Sequence, residues 1–190
     1  MCRSIEIIER HTGKRPRGNR APLYNMSAKT PELLAMEGFL YDSSLMGDEV
    51  PYVLETQKGK VMELPVSWAT DDWPPYVHAP DLDYMFQILP PDRAMEVYMA
   101  EFEALWACPG GLWSGGWHPF VSGRLSRWHR VEKAIEDMMS KGDVWFATME
   151  EIAAHVNTVT AEGRYCPRVD KLPYHSKLQV PQDLIGKAEA

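Results

Sequence analysis

The sequence predicts an α/β fold whose strands run mostly parallel. Short apolar runs alternate with amphipathic helical patterns, and glycines and prolines stand at the ends of these segments. The length of 190 residues suits one domain, or a large piece of one. Alternating helices and strands are typical of parallel sheets covered by helices. In such folds, reactive residues lie where strands end and loops begin.

The first elements follow from local signals. Residues 3–12 place Ile5 and Ile8 on one helical face, and Gly13 is a natural stop. The basic run KRPRGNRAP indicates a short strand that leads into a loop. Thr30 as N-cap and Pro31 in the first turn predict a helix that ends at Gly38. GFLYDSS then reads as a second short strand.

The later elements are less regular until the last two helices. A loop at 69–91 is crowded with Asp, Pro and aromatic residues, and structureless loops of that length are usually functional or disordered. Thr148 and Glu151 fit a capping box. The remaining predicted elements are strands at 60–68, 112–118 and 143–148 and helices at 92–107 (with Asp92 as a possible cap), 124–141 (ended by Gly142) and 149–156. Residues 1–158 are therefore predicted to form the domain, and residues 159–190 an irregular tail.

Composition narrows the possible functions. The chain has 27 acidic and 20 basic side chains, and this balance argues against a dedicated nucleic-acid binder. No apolar run is long enough for a membrane-spanning helix, and the N-terminus lacks the apolar core of a secretory signal. The three cysteines Cys2, Cys108 and Cys166 are widely spaced, which indicates free thiols in a reducing, cytoplasmic compartment.

Three groups of residues fall at predicted strand ends. His118 precedes Pro119, which biases it toward an extended conformation, and a histidine there can give or take a proton near neutral pH. One of the adjacent Asp71 and Asp72 could orient that histidine, although both could equally be solvated or cap a helix. Arg20 suits a fixed carboxylate partner, although it could also be a surface residue of a basic run.

Candidate binding residues surround these positions. Trp73, Tyr76 and Trp68 could line a groove, or they could equally form a lid over the core. A set of four tryptophans could stack on a ring: Trp68, Trp73, Trp113 and Trp117. No metal-ligand motif is present, and the nearest cluster, His78 with Asp81 and Asp83, is a poor one. The sequence therefore offers no metal-ligand set.

Five segments, taken in order, resemble the polysaccharide deacetylase family of carbohydrate esterases, close to its cytosolic allantoinase-like and cyclic-imidase-like branch. The segments are TGKRPRGNRAP, TPELLAMEGFLYDSSLMGDEVPY, ELPVSWATDDWPPY, SGGWHPFVSGRLSRWHRVEKAIEDM and GDVWFATMEEIAAHV. Together they extend over roughly residues 5–156. Their occurrence in this order is specific, whereas no single segment would be.

The resemblance implies a distorted (β/α) barrel that hydrolyses a C–N bond of an acetamido or cyclic amide group. It implies that His118 protonates the leaving amine, that Arg20 pairs with a catalytic base, and that Asp72 tunes the histidine. Trp73 and Asp72 would then line the substrate groove, and Asp71, Tyr76 and Trp117 are further candidate substrate-binding residues. It also implies a divalent metal, usually zinc, held by one aspartate and two histidines.

The chain departs from the family by lacking residues that match the metal ligands and the base aspartate. A complete barrel of this type needs about 250 residues. We therefore expect a partial barrel whose N-terminal strands are missing. Strands without neighbours expose unpaired backbone groups, so a homo-oligomer or a missing N-terminal segment is expected to cover the open edge.

Two classes of function remain open at this stage. The first is a hydrolase of non-peptide C–N bonds, acting on a carbohydrate N-acetyl group or on a cyclic amide small molecule. The second is a non-catalytic truncated remnant, or an interaction module that keeps part of a sugar-binding or ring-binding groove. Neither class involves nucleic acid or a membrane.

Overall fold

The structure is a computed structural model that describes residues 1–174. Within them, a mixed five-stranded sheet and a two-stranded ribbon are surrounded by helices. The strands are β1 (Gly18–Asn19), β2 (Tyr41–Asp42), β3 (Tyr52–Thr56), β4 (Gly59–Glu63), β5 (His78–Ala79), β6 (Tyr84–Met85) and β7 (Val169–Lys171). The helices are α1 (Cys2–Thr12), α2 (Thr30–Met36), α3 (Trp73–Tyr76), α4 (Pro91–Trp106), α5 (Pro119–Ser122), α6 (Leu125–Ser140) and α7 (Met149–Ala161).

The main sheet has the strand order β1-β2-β4-β3-β7. All neighbouring pairs are parallel except β3 and β4, which form an antiparallel hairpin. The register places Asp42 of β2 directly opposite Glu63 of β4. The predicted α/β fold with mostly parallel strands is confirmed. The sequence analysis missed β3, because its hairpin partner β4 interrupts the expected alternation of helix and strand.

The sheet continues as a barrel wall only in fragments. The predicted strand at 112–118 is reduced to a single parallel bridge between Asp71 and Gly116, and the predicted strand at 143–148 has no ladder. Both predictions were wrong because a strand needs a hydrogen-bonding neighbour, and no described segment lies beside 143–148 as one. Trp145 and Phe146 there are 56% and 53% exposed. The fold is thus an open, partial barrel.

The helix ends show where local signals were decisive. Gly13, Gly38 and Gly142 adopt the positive φ angles expected of stop residues, and the capping box of Thr148 and Glu151 is present. Two predicted caps were wrong: Thr30 lies inside α2, and Pro90 rather than Asp92 precedes α4. Helix α7 also runs beyond the predicted end at residue 156.

Two regions that were predicted to be irregular contain helices or strands. The 69–91 segment contains the short helix α3 and the ribbon of β5 and β6. In the predicted tail, β7 pairs with β3, so this part of 159–190 joins the sheet. The boundary at residue 158 stays a prediction, and residues 175–190 lie outside the described residues.

Separate clusters of buried apolar side chains stabilise the helices and the main sheet. Tyr98 of α4 and Val131 of α6 belong to one buried cluster, whereas Leu34 and Leu54 belong to a second cluster against the sheet. Each fully buried side chain of this size stabilises the fold by about 1.5–3 kcal/mol. The first cluster supports the segments around Asp72 and His118. None of the described helices combines the length and the apolar character needed to cross a membrane.

Candidate active site

His118 and Asp72 form a hydrogen-bonded pair at the centre of the site. The His118 ring Nδ1 lies 2.6 Å from Asp72 Oδ1, and the His118 backbone N–H donates to Asp72 Oδ2 at 2.8 Å. The Ser122 hydroxyl donates to the same Oδ2 at 2.5 Å. Asp72 is fully buried, whereas the His118 side chain is 40% exposed. A carboxylate on Nδ1 fixes that nitrogen as the protonated one and leaves Nε2 for chemistry.

The local sequence explains this arrangement. The His118-Pro119 step keeps His118 extended, at φ −91° and ψ 127°, immediately before α5. Helix α5 then brings Ser122 back to Asp72, because residues four apart lie on the same helical face. On the other side, the bridge of Asp71 with Gly116 fixes the two segments against each other. Two hydrogen bonds flank it, from Asp72 N–H to Gly116 and from Gly116 N–H to Thr70.

Asp71 is as buried as its neighbour but serves a different purpose. Its Oδ1 accepts the Trp73 backbone N–H at 2.8 Å, and its Oδ2 accepts the Tyr24 hydroxyl at 2.5 Å. Burial and this carboxylate together raise the pKa of the Tyr24 hydroxyl. Tyr24 therefore stays protonated and acts only as a donor. It ties the segment after β1 to the segment that carries Asp72.

Aromatic rings form one wall beside the His118 ring. Trp73 lies edge-on to His118, with ring centroids 5.3 Å apart, and Phe120 lies 5.7 Å from His118 on centroids. Tyr84 of the ribbon packs against Trp73. Phe120 is 64% exposed, so the wall is open to solvent and to a ligand. Such a surface can accept the flat face of a ring.

Arg20 follows β1 and is held by the next strand end. Its Nε donates to the Ser43 carbonyl at 3.0 Å, and its Nη2 donates to the hydroxyls of Ser43 at 2.8 Å and Ser114 at 3.2 Å. Its guanidinium carbon also lies 6.0 Å from the centre of the Tyr24 ring. Within residues 1–174, Arg20 forms no ion pair with a carboxylate. It can therefore offer its remaining donors to one.

The contacts of the other candidate binding residues favour a supporting position. Tyr76 is 4% exposed and lies under the Arg127 guanidinium at 4.3 Å, and Trp117 stacks on Tyr98 in the core. Both oxygens of Asp71 are already hydrogen-bonded. The substrate-binding roles of Asp71, Tyr76 and Trp117 stay predictions. Only Trp73 among the four lies directly against the His118 ring.

Sequence reasoning missed the residues that hold the site together. Ser122 bonds Asp72, Tyr24 bonds Asp71, and Ser43 with Ser114 bonds Arg20. The spacing of His118 and Ser122, four apart across a Pro-started turn, was a usable signal for Ser122. The other three contacts join segments far apart in sequence, and no local pattern indicates them.

The structure does bring together three groups that could ligate a metal, although the sequence showed no such set. Ligand atoms of Asp71, Asp72 and His118 lie within 4.8 Å of one another. All four carboxylate oxygens, however, already accept hydrogen bonds from protein donors, and His118 Nδ1 is bonded to Asp72. A cation would have to displace these bonds in a buried position. The three residues therefore do not fit a metal, and Asp72 hydrogen-bonds the His118 ring instead.

Comparison with known proteins gives consistent results. The chain is 29% identical over 178 residues to the peptidoglycan deacetylase of Helicobacter pylori, covering 80% of this chain and 61% of that protein. It is 28% identical over 189 residues to a peptidoglycan deacetylase-like protein of Gibberella zeae, covering 80% and 55%. The chain thus spans a little over half the length of these relatives. No model of a known protein family matches it.

Solved structures agree in fold. A crystal structure assigned as a polysaccharide deacetylase from Mycobacterium smegmatis superposes with a TM-score of 0.78 at 40% identity, covering 95% of this chain and 59% of that one. A probable polysaccharide deacetylase from Pseudomonas aeruginosa gives 0.70 at 27% identity, covering 87% and 53%. The allantoinase Puue gives 0.69 at 26% identity, also covering 87% and 53%.

Proposed function

Because the chain belongs to the polysaccharide deacetylase family, we propose that it supplies the proton-donating side of a site that hydrolyses an amide C–N bond. The observation that carries this proposal is the pair of buried Asp72 and half-exposed His118, with Nδ1 held and Nε2 free. The substrate class is a carbohydrate N-acetyl group, by analogy with the named relatives. The chain spans only part of these relatives, so the activity itself remains to be measured.

The proposed chemistry assigns one proton transfer to this chain. His118 begins as an imidazolium, with Nδ1–H on Asp72 and Nε2–H directed outward. As the C–N bond breaks, Nε2 gives its proton to the leaving nitrogen, and a neutral imidazole stays bonded to Asp72 through Nδ1–H. The buried Asp72 carboxylate stabilises the charged form and keeps the ring oriented.

Arg20 would orient an anionic partner that this chain does not provide. Ser43 and Ser114 fix its Nε and Nη2, and its other donors are available to a carboxylate. The family resemblance assigns that carboxylate to a base that activates water. We propose that the base and the metal belong to a segment outside residues 1–174, since the described Asp71, Asp72 and His118 do not fit a metal.

The open edge supports a partner for this chain. Trp145 and Phe146 are more than half exposed where the barrel wall should continue, and the segment from 143 to 148 has no ladder. A complementing polypeptide segment, or failing that a second copy of the chain, would bury them. The three free thiols support a reducing, cytoplasmic setting, which cell fractionation with an antibody can test.

The test is a chimaera in which the part of the Mycobacterium smegmatis relative not matched by this chain is fused to it. We expect the chain alone to show no turnover of N-acetylglucosamine oligomers and the chimaera to release acetate. His118→Asn in the chimaera should lower kcat about 10²–10⁴-fold. His129→Asn, at an exposed histidine of α6, is the matched control. A folded chimaera that hydrolyses no amide C–N bond contradicts the proposal.

A cyclic amide is the second candidate substrate, favoured by the likeness to an allantoinase. The same chimaera should be assayed with allantoin beside the sugar oligomers. Higher kcat/KM for allantoin would reassign the substrate while keeping the roles of His118 and Asp72. Binding of either ligand to the chain without turnover by the chimaera would instead support the non-catalytic alternative.

A further inference from the structure

Two buried carboxyl groups, Asp42 and Glu63, lie next to each other away from the His118 site. Asp42 and Glu63 face each other across β2 and β4, and both side chains are fully buried. Like charges directly opposite each other in neighbouring strands are destabilising. Two buried carboxyl groups in such a position cannot both be ionised unless a cation lies between them, so one of them is expected to keep a proton.

Donors from the protein satisfy most, but not all, of the four oxygens. Asp42 accepts the Asn19 side-chain amide at 2.6 Å, with further bonds from the Ser44 hydroxyl and N–H. Glu63 Oε1 accepts the backbone N–H groups of Ser44 at 2.9 Å and Leu45 at 2.8 Å. Glu63 Oε2 finds no donor among the described residues, and the Glu63 and Asp42 carboxyl groups are close enough to share a hydrogen bond.

The oxygen without a donor indicates where the proton lies. A protonated Glu63 Oε2 would donate to Asp42 and would leave no unsatisfied atom in the pair. Burial, followed by the Asp42 charge, raises the pKa of Glu63 to about 9. Four other charged or titratable groups lie near this pair: Tyr52, which is opposite Glu63 in the β3–β4 hairpin, Arg168 at 4.5 Å from the centre of the Tyr52 ring, Asp170 and Tyr174.

The two carboxyl groups hold the backbone that grips Arg20. The backbone N–H groups of Ser44 and Leu45 donate to Glu63. Ser43 is the residue between Asp42 and Ser44 in the sequence. The carbonyl and hydroxyl oxygens of Ser43 accept hydrogen bonds from Arg20. The Ser43 hydroxyl itself donates to the Leu64 carbonyl at 2.7 Å. A shift of the 43–45 backbone would therefore move the Arg20 guanidinium.

We propose that Asp42 and Glu63 share one proton and act as a positioning pair for Arg20, by fixing residues 43–45 at the end of β2. The value of this pair for catalysis rests on the proposed function. Its structural content does not, because the position of Arg20 and the bound proton can be measured in the chain without any substrate.

The first experiment measures thermal unfolding of the full chain from pH 6 to 9. In the folded chain the pKa of Glu63 lies above its ordinary value. The contribution of its proton to the free energy of unfolding is therefore fully present below about pH 4.5 and is lost as the pH rises toward about 9. The wild-type Tm should fall by about 5 °C or more over this range. The Tm of Glu63→Gln, which keeps a hydrogen-bond donor toward Asp42, should fall clearly less over the same pH range. Equal pH slopes for the two proteins would overturn the shared proton.

The second experiment reads Arg20 directly by ¹³C-detected NMR of its Nε and Cζ signals. At pH 7, Glu63→Gln should keep the wild-type shifts, whereas Glu63→Ala should move them toward free arginine. Glu136→Ala, which truncates an exposed glutamate of α6, is the control for a truncation away from the pair. Should Glu63→Ala fail to fold, the wild-type signals near pH 10 should move while those of Glu63→Gln stay. Arg20 shifts unchanged in every case would overturn the positioning role.

Discussion

Asp42 and Asp72 are both fully buried aspartates at the ends of barrel segments, yet their surroundings differ. Both oxygens of Asp72 accept hydrogen bonds from protein donors: a ring nitrogen, a backbone N–H and a hydroxyl. Asp42 has donors on one side and a second acid, Glu63, on the other. Asp72 holds the His118 ring by a hydrogen bond, whereas Asp42 and Glu63 are proposed to share one proton. On these proposals the first aspartate supports proton transfer and the second holds a backbone.

The largest effect is expected from Asp72→Ala. It leaves the Ser122 hydroxyl and the His118 backbone N–H without their acceptor, and each buried donor left unsatisfied costs about 1–3 kcal/mol of unfolding free energy. Urea denaturation measures the loss. Asp81→Ala, at an exposed aspartate in the same segment, should stay within about 0.5 kcal/mol. Equal losses for both variants would remove the distinction between the sites.

The sequence could predict this region only in part. The adjacency of Asp71 and Asp72 and the His118-Pro119 step were visible as motifs, and local rules gave their extended backbone. Local patterns did not show that Asp72 rather than Asp71 pairs with His118, because Asp72 and His118 are 46 positions apart and meet through one bridge. Only the family resemblance assigned this pairing to Asp72. Local signals did predict the ends of α1 and α6 and the capping box of α7, since each depends on neighbours in sequence.

The acid pair lay beyond sequence reasoning for a related reason. Glu63 stands between apolar residues in VMELPV, and an acid in such a run is a signal of a buried partner. The partner could not be identified, because it depends on the register of β2 against β4. The missed strand β3 has the same cause: a hairpin beside a parallel pair is a tertiary choice rather than a local one.

Tyr24→Phe tests whether the Asp71 contact also stabilises the Asp72 side of the comparison. It removes the hydroxyl donor from a buried carboxylate, and the expected loss is about 1.5 kcal/mol of unfolding free energy. Chemical denaturation gives the value. Tyr84→Phe is the matched control, since its hydroxyl has no hydrogen-bond partner within the described part of the chain. If the control loses as much, the Asp71 contact contributes nothing specific.

A smaller effect is expected where the barrel wall ends without a ladder. Residues 143–148 enter α7 through the capping box, in which Thr148 accepts the Glu151 N–H and Glu151 accepts the Thr148 N–H. Thr148→Ala should cost about 1 kcal/mol by thermal unfolding. Thr158→Ala, at an exposed position inside the same helix, should change little. A neutral Thr148→Ala would mean that other contacts fix this entry.

The smallest expected effect is that of zinc on the His118 ring. Every oxygen of Asp71 and Asp72 already accepts a protein hydrogen, so one equivalent of zinc should leave the His118 ring signals in an NMR spectrum unshifted. The thiols of Cys2, Cys108 and Cys166 should be blocked first, because free thiolates bind zinc on their own. A zinc-dependent shift at His118 that Asp72→Asn abolishes would show that the cation can displace those hydrogen bonds. The buried pair would then be a ligand set rather than a support for proton transfer, and the contrast with Asp42 and Glu63 would have to be redrawn.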